Sequence, residues 1–241
     1  MAESTMMASA ANGSAAPTAQ SQVLDQILGS RSSCRGYLNK QVPRETIEDI
    51  LRLSQRTPSW CNSQPWQLTI TSGAATDKFR EQLVAFVSRQ GDASPDFQFP
   101  RDYTGAYLER RRESGFQLYN ALGIPRGDKQ AYNKQAMENF RFFGAPHVAI
   151  ITTEEDLGIY GAVDCGAYVS TFVLAAEANG VATIPQAALA RYSPFIRQYF
   201  GIPDNRRVVC GISFGYADRS HPANNFRTSR ADISSVVNWV E

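Results

Sequence analysis

The chain has 241 residues, 43% of them apolar and 20% charged, and a formal net charge of +1. Such a composition describes a soluble globular protein, and its near-neutral balance excludes general recruitment to nucleic acid or to an acidic membrane surface. The length permits one sizeable core or two small ones and does not choose between them. Basic runs are local, at Arg110–Arg112 and Arg206–Arg207, and read as an exposed helix face and a strand end. Cys34, Cys61, Cys165 and Cys210 form no CxxC and no metal-like cluster, and only two histidines are present. Disulfides and a metal site are therefore not expected, whereas a reducing, cytoplasmic setting is.

Residues 1–19 are rich in Ala, Ser and Met, with no early Lys or Arg and no long apolar core. They read as a disordered tail rather than a signal peptide. No later run approaches the ~18 apolar residues of a membrane span. Val23, Leu24, Ile27 and Leu28 repeat at helical spacing and stop at Gly29-Ser30. The next segment, Ser30-Arg31-Ser32-Ser33-Cys34-Arg35-Gly36-Tyr37, sets two arginines four apart among hydroxyls. Guanidinium forks and serine hydroxyls suit a phosphate, although a short Arg/Ser run can equally be a solvated turn.

Pro43 opens a helix in which Ile47, Ile50, Leu51 and Ser54 follow a 3.6-residue period. Thr57-Pro58-Ser59-Trp60-Cys61-Asn62-Ser63-Gln64-Pro65-Trp66 then holds two prolines and two tryptophans among small polar groups. Each proline fixes φ and pushes the residue before it toward extended geometry. The segment is a stiff loop that fits either a flat, polar-edged ligand or a connector carrying two core tryptophans. A strand is predicted over 66–71 and an amphipathic helix over 77–88. A loop over 91–104 leads to aromatic-rich helices over 107–122 and 130–143, and this excursion at 91–143 is either a packed subdomain or a lid. Further on come a strand at 147–152, a long apolar helix at 160–179 stopped by Gly180, a strand at 181–185, a helix at 194–200 and a strand at 207–214. Without a clean βαβ rhythm, the pattern favours α+β.

Gly211-Ile212-Ser213-Phe214-Gly215 matches the G-x-S-x-G of a nucleophile elbow, but turn-like residues follow it where the elbow needs a helix. Its glycines are better explained by close backbone approach within a strand. No G-x-G-x-x-G follows a strand and no P-loop is present, so a nicotinamide cofactor would visit as a substrate rather than own a domain.

In order and spacing, two segments resemble the FMN-dependent nitroreductase family. The first motif, Arg-x-Ser-x-Arg/Lys-x-aromatic, is matched by Arg31, Ser33, Arg35 and Tyr37. The second, Pro-Ser-x-x-Asn-x-Gln-Pro-Trp, is matched by Pro58, Ser59, Asn62, Gln64, Pro65 and Trp66. Weaker matches follow at Asp164-Cys165-Gly166, Ala175 to Gly180, Ile184 to Ala188, Gly211 to Gly215 and Asn225 to Arg230, so the likeness covers roughly residues 20–240. It implies a single FMN-binding domain over 20–241, an α+β fold with a mixed, mainly antiparallel sheet flanked by helices, and an intertwined homodimer.

The resemblance also implies roles for residues. Arg31, Ser32 and Ser33, with Arg230 and its neighbour Arg227, would hold the FMN phosphate. Arg35 would lie near flavin N1/O2, where a cation stabilises the reduced ring. Pro185, Gln186, Ala187 and Ala188 would offer backbone to N5. Some members carry Glu-Gly where this chain has Ala187-Ala188, which leaves the backbone role intact and puts a carboxylate role in doubt. Pro58, Ser59 and Asn62, on a loop with Trp60 and Gln64, would reach the flavin of the other subunit. Catalysis would need no side chain beyond the flavin. NADH or NADPH would reduce FMN, and a small aromatic acceptor would then take hydride from N5. A nitroarene would pass through nitroso to hydroxylamine, with nitrobenzoate- or nitrobenzene-type reductases the most similar members. Same-fold alternatives are a reductive dehalogenase and an enone or quinone reductase, and a flavin-binding protein without a dedicated acceptor is a further one.

Overall fold

A computed structural model describes residues 16–89 and 93–241. The predicted tail falls outside the described residues as far as position 15, and the first two residues of the 91–143 excursion also lie outside them. Helices α1 (Ala19–Ser30) and α2 (Arg44–Ser54) precede strand β1 (Gln67–Ser72). Helices α3 (Ala74–Ser88), α4 (Gly105–Ala121) and α5 (Lys129–Met137) lead to β2 (His147–Glu154). The long α6 (Gly158–Ala178), β3 (Ala182–Gln186), the short α7 (Ala187–Ala190), α8 (Ser193–Phe200) and β4 (Arg206–Gly215) complete the fold.

The strands form one sheet in the order β1-β2-β4-β3, every neighbour antiparallel. A single parallel bridge, Ser33 to Thr183, extends it beyond β3. Side chains alternate across a strand, and both faces of β2 are covered. Ala149 and Ile151 pack on one side with α2 and α6 residues such as Ile50, Tyr168 and Phe172. Val148 and Ile150 pack on the other with Phe79 and Leu83 of α3 and Ile196 of α8. That double burial is why β2 reads as an unbroken apolar run.

The glycines of β4 do what their place in a strand suggests. A Cβ on Gly211 would stand 2.4 Å from Leu189 Cδ1, and one on Gly215 would stand 2.5 Å from Pro146 Cδ. Ser213 between them is fully buried within β4, so no exposed hydroxyl stands at an elbow.

Three expectations are corrected. Pro43 is the residue before α2, with extended ψ of 145°, rather than part of its first turn. The helix expected over 130–143 stops at Met137, and Phe142 and Phe143 take left-handed φ of 57° and 52°. Tertiary packing overrides helical continuation there, because the turn drives Phe142 into the α3/α8 core, 5.2 Å from the Phe79 ring. Finally, Glu155–Ala178 is long and apolar enough to cross a membrane by length and composition, with a mean hydropathy of 1.4. Here it is the helix laid on the sheet: Cys165, Tyr168, Phe172 and Ala176 are buried, and a Cβ on Gly161 would meet Thr153 Oγ1 at 2.5 Å. Its N-terminal part leaves Ile159, Tyr160 and Val163 exposed at 70%, 57% and 59%.

Candidate active site

The arginine-serine segment leaves α1 at Arg31, whose N–H still bonds Ile27 O, and runs beside β3. Cys34 N–H donates to Thr183 O at 3.0 Å, which bolts the loop to the sheet edge. The C-terminal segment returns across the same loop. Asn224 Oδ1 accepts from Arg35 N–H at 2.7 Å, and Asn224 Nδ2 donates to Gly36 O at 2.9 Å and Asp218 O at 2.8 Å. Gly36 permits this crossing, since a Cβ there would lie 2.3 Å from the His221 ring.

The crossing brings Arg31, Ser32, Ser33 and Arg35 against Phe226, Arg227, Thr228 and Arg230, around a cavity of about 410 Å3 that Ser114 of α4 also lines. Among the described residues, none of these four arginines has a carboxylate within 4.0 Å. Three of them donate to neutral oxygens instead: Arg35 to Ser33 O, Arg227 to Asn224 O and Phe226 O, and Arg230 to Thr228 Oγ1 and Ser229 O. Arg35 is half-buried, with its guanidinium carbon 6.0 Å from the Phe143 centroid and 5.9 Å from that of Phe226. Burial pulls its pKa below the usual arginine value. Converging cations, with Arg31 and Arg35 half-buried and Arg227 and Arg230 exposed, suit an anion.

A second cavity of about 610 Å3 shares Leu28, Gly29, Arg31 and Arg230 with the first and continues along Gly166, Val169 and Val173 of α6 to Pro185. Asp25 also lines this second cavity, so the charged end adjoins a largely apolar cleft with one carboxylate at its rim. Ala187 is exposed and Ala188 half-buried at the start of α7, and neither lines these two cavities. The Gln186 side chain points into the core, where Oε1 accepts from Ser213 Oγ and Nε2 donates to Asn139 O at 2.9 Å.

Within one chain the proline-tryptophan loop does not reach the arginine cavity. Pro58, Trp60, Asn62 and Gln64 are exposed and Ser59 is half-buried. The loop is nevertheless rigidly made: Cys61, Asn62 and Gln64 take positive φ of 51°, 56° and 47°. Gln64 N–H donates to Ser59 Oγ at 2.9 Å, and Gln64 Nε2 to Asn62 Oδ1 at 3.1 Å. The Asp164 carboxylate accepts from Trp60 N–H at 3.1 Å, tying the loop to α6. The Trp60 ring meets Tyr160 edge-on at 4.5 Å.

Sequence reasoning missed Asn224, Ser114, Phe143, Phe226 and Thr228. Asn224 is the most consequential, and its only signal was an asparagine pair in an irregular segment close to the matched arginines.

The match to known proteins falls on this framework. Residues 28–216 fit the model of the Nitroreductase family. The chain belongs to that family. Nitroreductase NfnB of Mycolicibacterium smegmatis is 35% identical over 90% of this chain and 93% of its own length. A 4-nitrobenzoate reductase of Nocardioides sp. is 32% identical over 91% of this chain and 90% of its own. The crystal structure of the FMN-dependent nitroreductase NfnB from Mycobacterium smegmatis in complex with NADPH has a TM-score of 0.87 at 34% identity, covering 92% of this chain and 100% of that one. The α+β nitroreductase fold expected from the motifs is thereby the observed fold. Arg227 and Arg230 lie beyond the 28–216 match, and it is the cavity that brings them to Arg31 and Arg35.

Proposed function

We propose that this nitroreductase-family protein is a cytoplasmic, homodimeric FMN oxidoreductase that uses NADPH or NADH to reduce nitroaromatic compounds. One observation carries the reading: four arginines with no carboxylate within 4.0 Å among the described residues converge on a cavity beside a largely apolar cleft. The fold that holds them resembles an FMN-dependent nitroreductase in complex with NADPH. A flavin mononucleotide has matching parts, a phosphate and a broad planar ring. When bound, FMN supplies a site that takes a hydride equivalent from the nicotinamide and passes it to the acceptor.

The chain's own residues bind, orient and bias. Arg31, Arg227 and Arg230, with Ser32 and Ser33, hold the phosphate, each charge-assisted hydrogen bond contributing roughly 1.5–3 kcal/mol. Arg35, half-buried and with no carboxylate within 4.0 Å among the described residues, favours whichever redox state carries negative charge beside it. Pro185 lines the apolar cleft and leads into Ala187 and Ala188, small residues whose backbone a ring edge can approach from its rim. Pro58, Ser59 and Asn62 act on the site of a second copy, as supported by the exposure of Pro58 and Asn62 and by the apolar surface next to them. Trp60, Ile159, Tyr160 and Val163 form that surface, and burying such side chains fully contributes roughly 1.5–3 kcal/mol each.

The test is a purified protein with a flavin spectrum and stoichiometric FMN, assayed with each nicotinamide against 4-nitrobenzoate, nitrobenzene, a quinone and a halogenated phenol. Preferred turnover of the nitroarenes supports the proposal. A colourless protein that FMN cannot reconstitute overturns it, and preference for the quinone or the phenol moves the activity to another member of the same fold.

A further inference from the structure

Gln186 sits between the flavin-edge segment and the aromatic excursion without lining either of the two cavities described. The residue is 3% exposed and its side-chain hydrogen bonds all run inward. Oε1 accepts from the Ser213 hydroxyl of β4, while Nε2 donates to Asn139 O at 2.9 Å and approaches Asn139 Oδ1 at 3.3 Å. Asn139 O also accepts from Phe142 N–H at 3.2 Å, and Phe143 N–H donates to Glu138 O at 2.9 Å, closing the turn that follows α5. This turn holds Phe142 and Phe143 in left-handed geometry, a costly conformation for bulky residues that persists only where surroundings enforce it. Phe143 carries the ring that stands beside the Arg35 guanidinium.

From these contacts we infer that Gln186 is a positioning residue that holds two sides of the site in register. Through Ser213 and its pairing opposite Gly211 it fixes the end of β3, and so the backbone entering Ala187-Ala188. Through Asn139 it braces the Phe142-Phe143 turn, and so the aromatic wall against Arg35. Its amide suits both tasks because one end accepts and the other donates. The inference rests on the FMN reading above.

The experiment uses the purified holoenzyme. Gln186→Met keeps length and removes both functions. FMN affinity should stay within about threefold of wild type, since no phosphate contact changes, whereas flavin reduction by the nicotinamide should slow about tenfold because the two sides of the site lose their register. The flavin midpoint potential should shift, and amide exchange over 138–144 should rise. Gln186→Glu still accepts from Ser213 but sets a carboxylate against the Asn139 oxygens, so its defect should deepen as pH rises and the carboxylate ionises. Ser213→Ala severs only the β4 link and should show a smaller loss of the same kind, which keeps the test available should Gln186→Met not fold. Wild-type potential and wild-type exchange over 138–144 in all three variants would overturn the assignment while leaving the FMN function intact. A wild-type protein that takes up no FMN would overturn both.

Discussion

Replacing Asn224 with alanine tests whether the two halves of the arginine cluster depend on one side chain that lines neither cavity. Asn224 makes three hydrogen bonds, to Arg35 N–H, Gly36 O and Asp218 O, at 2.7, 2.9 and 2.8 Å. At about 1 kcal/mol net for each, their complete loss would cost about 3 kcal/mol. Asn224 is half-buried, so water replaces part of them, and Asp218 N–H still bonds Gly36 O at 3.0 Å. A net loss of about 2 kcal/mol is the working value. It should appear chiefly in binding, because Arg227 and Arg230 would no longer be held in place before the ligand arrives. The dissociation constant for FMN should rise roughly thirtyfold, as read by fluorescence titration of the FMN-depleted protein. Asn224→Asp keeps the acceptor for Arg35 N–H, loses both donations and adds an anion beside the arginines, so it should bind FMN no better than the alanine variant. The reasoning is refuted if Asn224→Ala retains FMN within twofold of wild type while Arg227→Ala and Arg230→Ala release it.

Arg31→Ala and Arg230→Ala should each weaken FMN retention about tenfold or more, with the loss measured by dialysis and absorbance. Arg35→Gln should lower the two-electron potential in a redox titration and slow flavin reduction more than reoxidation. Arg35→Lys should be milder, and a wild-type potential with looser FMN would make Arg35 a phosphate ligand instead. Mixing subunits that carry Arg31→Ala with subunits that carry Asn62→Ala should restore activity in the heterodimer if each site draws on both copies, and failure to recover any would place each site within one chain. His147 is buried as the neutral ring, Nε2 accepting from Val42 N–H at 3.0 Å and Nδ1–H donating to Thr71 O at 3.2 Å. Burial lowers its pKa from 6.5, so below about pH 6.5 the unfolded chain takes the proton first. Its contribution to stability is full above that pH and is lost as pH falls toward the lowered folded value. Thermal melts between about pH 7.5 and 5 should show that fall in the wild type and a smaller one in His147→Gln.

Local patterns determined much of this protein. The apolar run of β2, the period of α2 and the stop of α6 at Gly180, whose φ is 69°, depend on near neighbours and are visible along the chain. The two motifs that identify the family are also contiguous, and their residues matched without knowledge of the fold. Joining Arg35 to Asn224 is different, since 189 positions separate the two and neither helical nor strand periodicity refers to such a distance. The left-handed turns at Cys61-Asn62 and Phe142-Phe143 were equally hidden, because neither cysteine nor phenylalanine prefers that conformation and only the surrounding packing enforces it. The motif implied a backbone role for Gln186 and said nothing of where its side chain goes. Pairing of β3 with β4 turned its side chain into the core, because side chains alternate across a strand and register alone decides which face each one takes. Chemistry was therefore written in residue types and short spacings, whereas convergence and orientation came from strand register and from a C-terminal segment that crosses the first loop at a glycine.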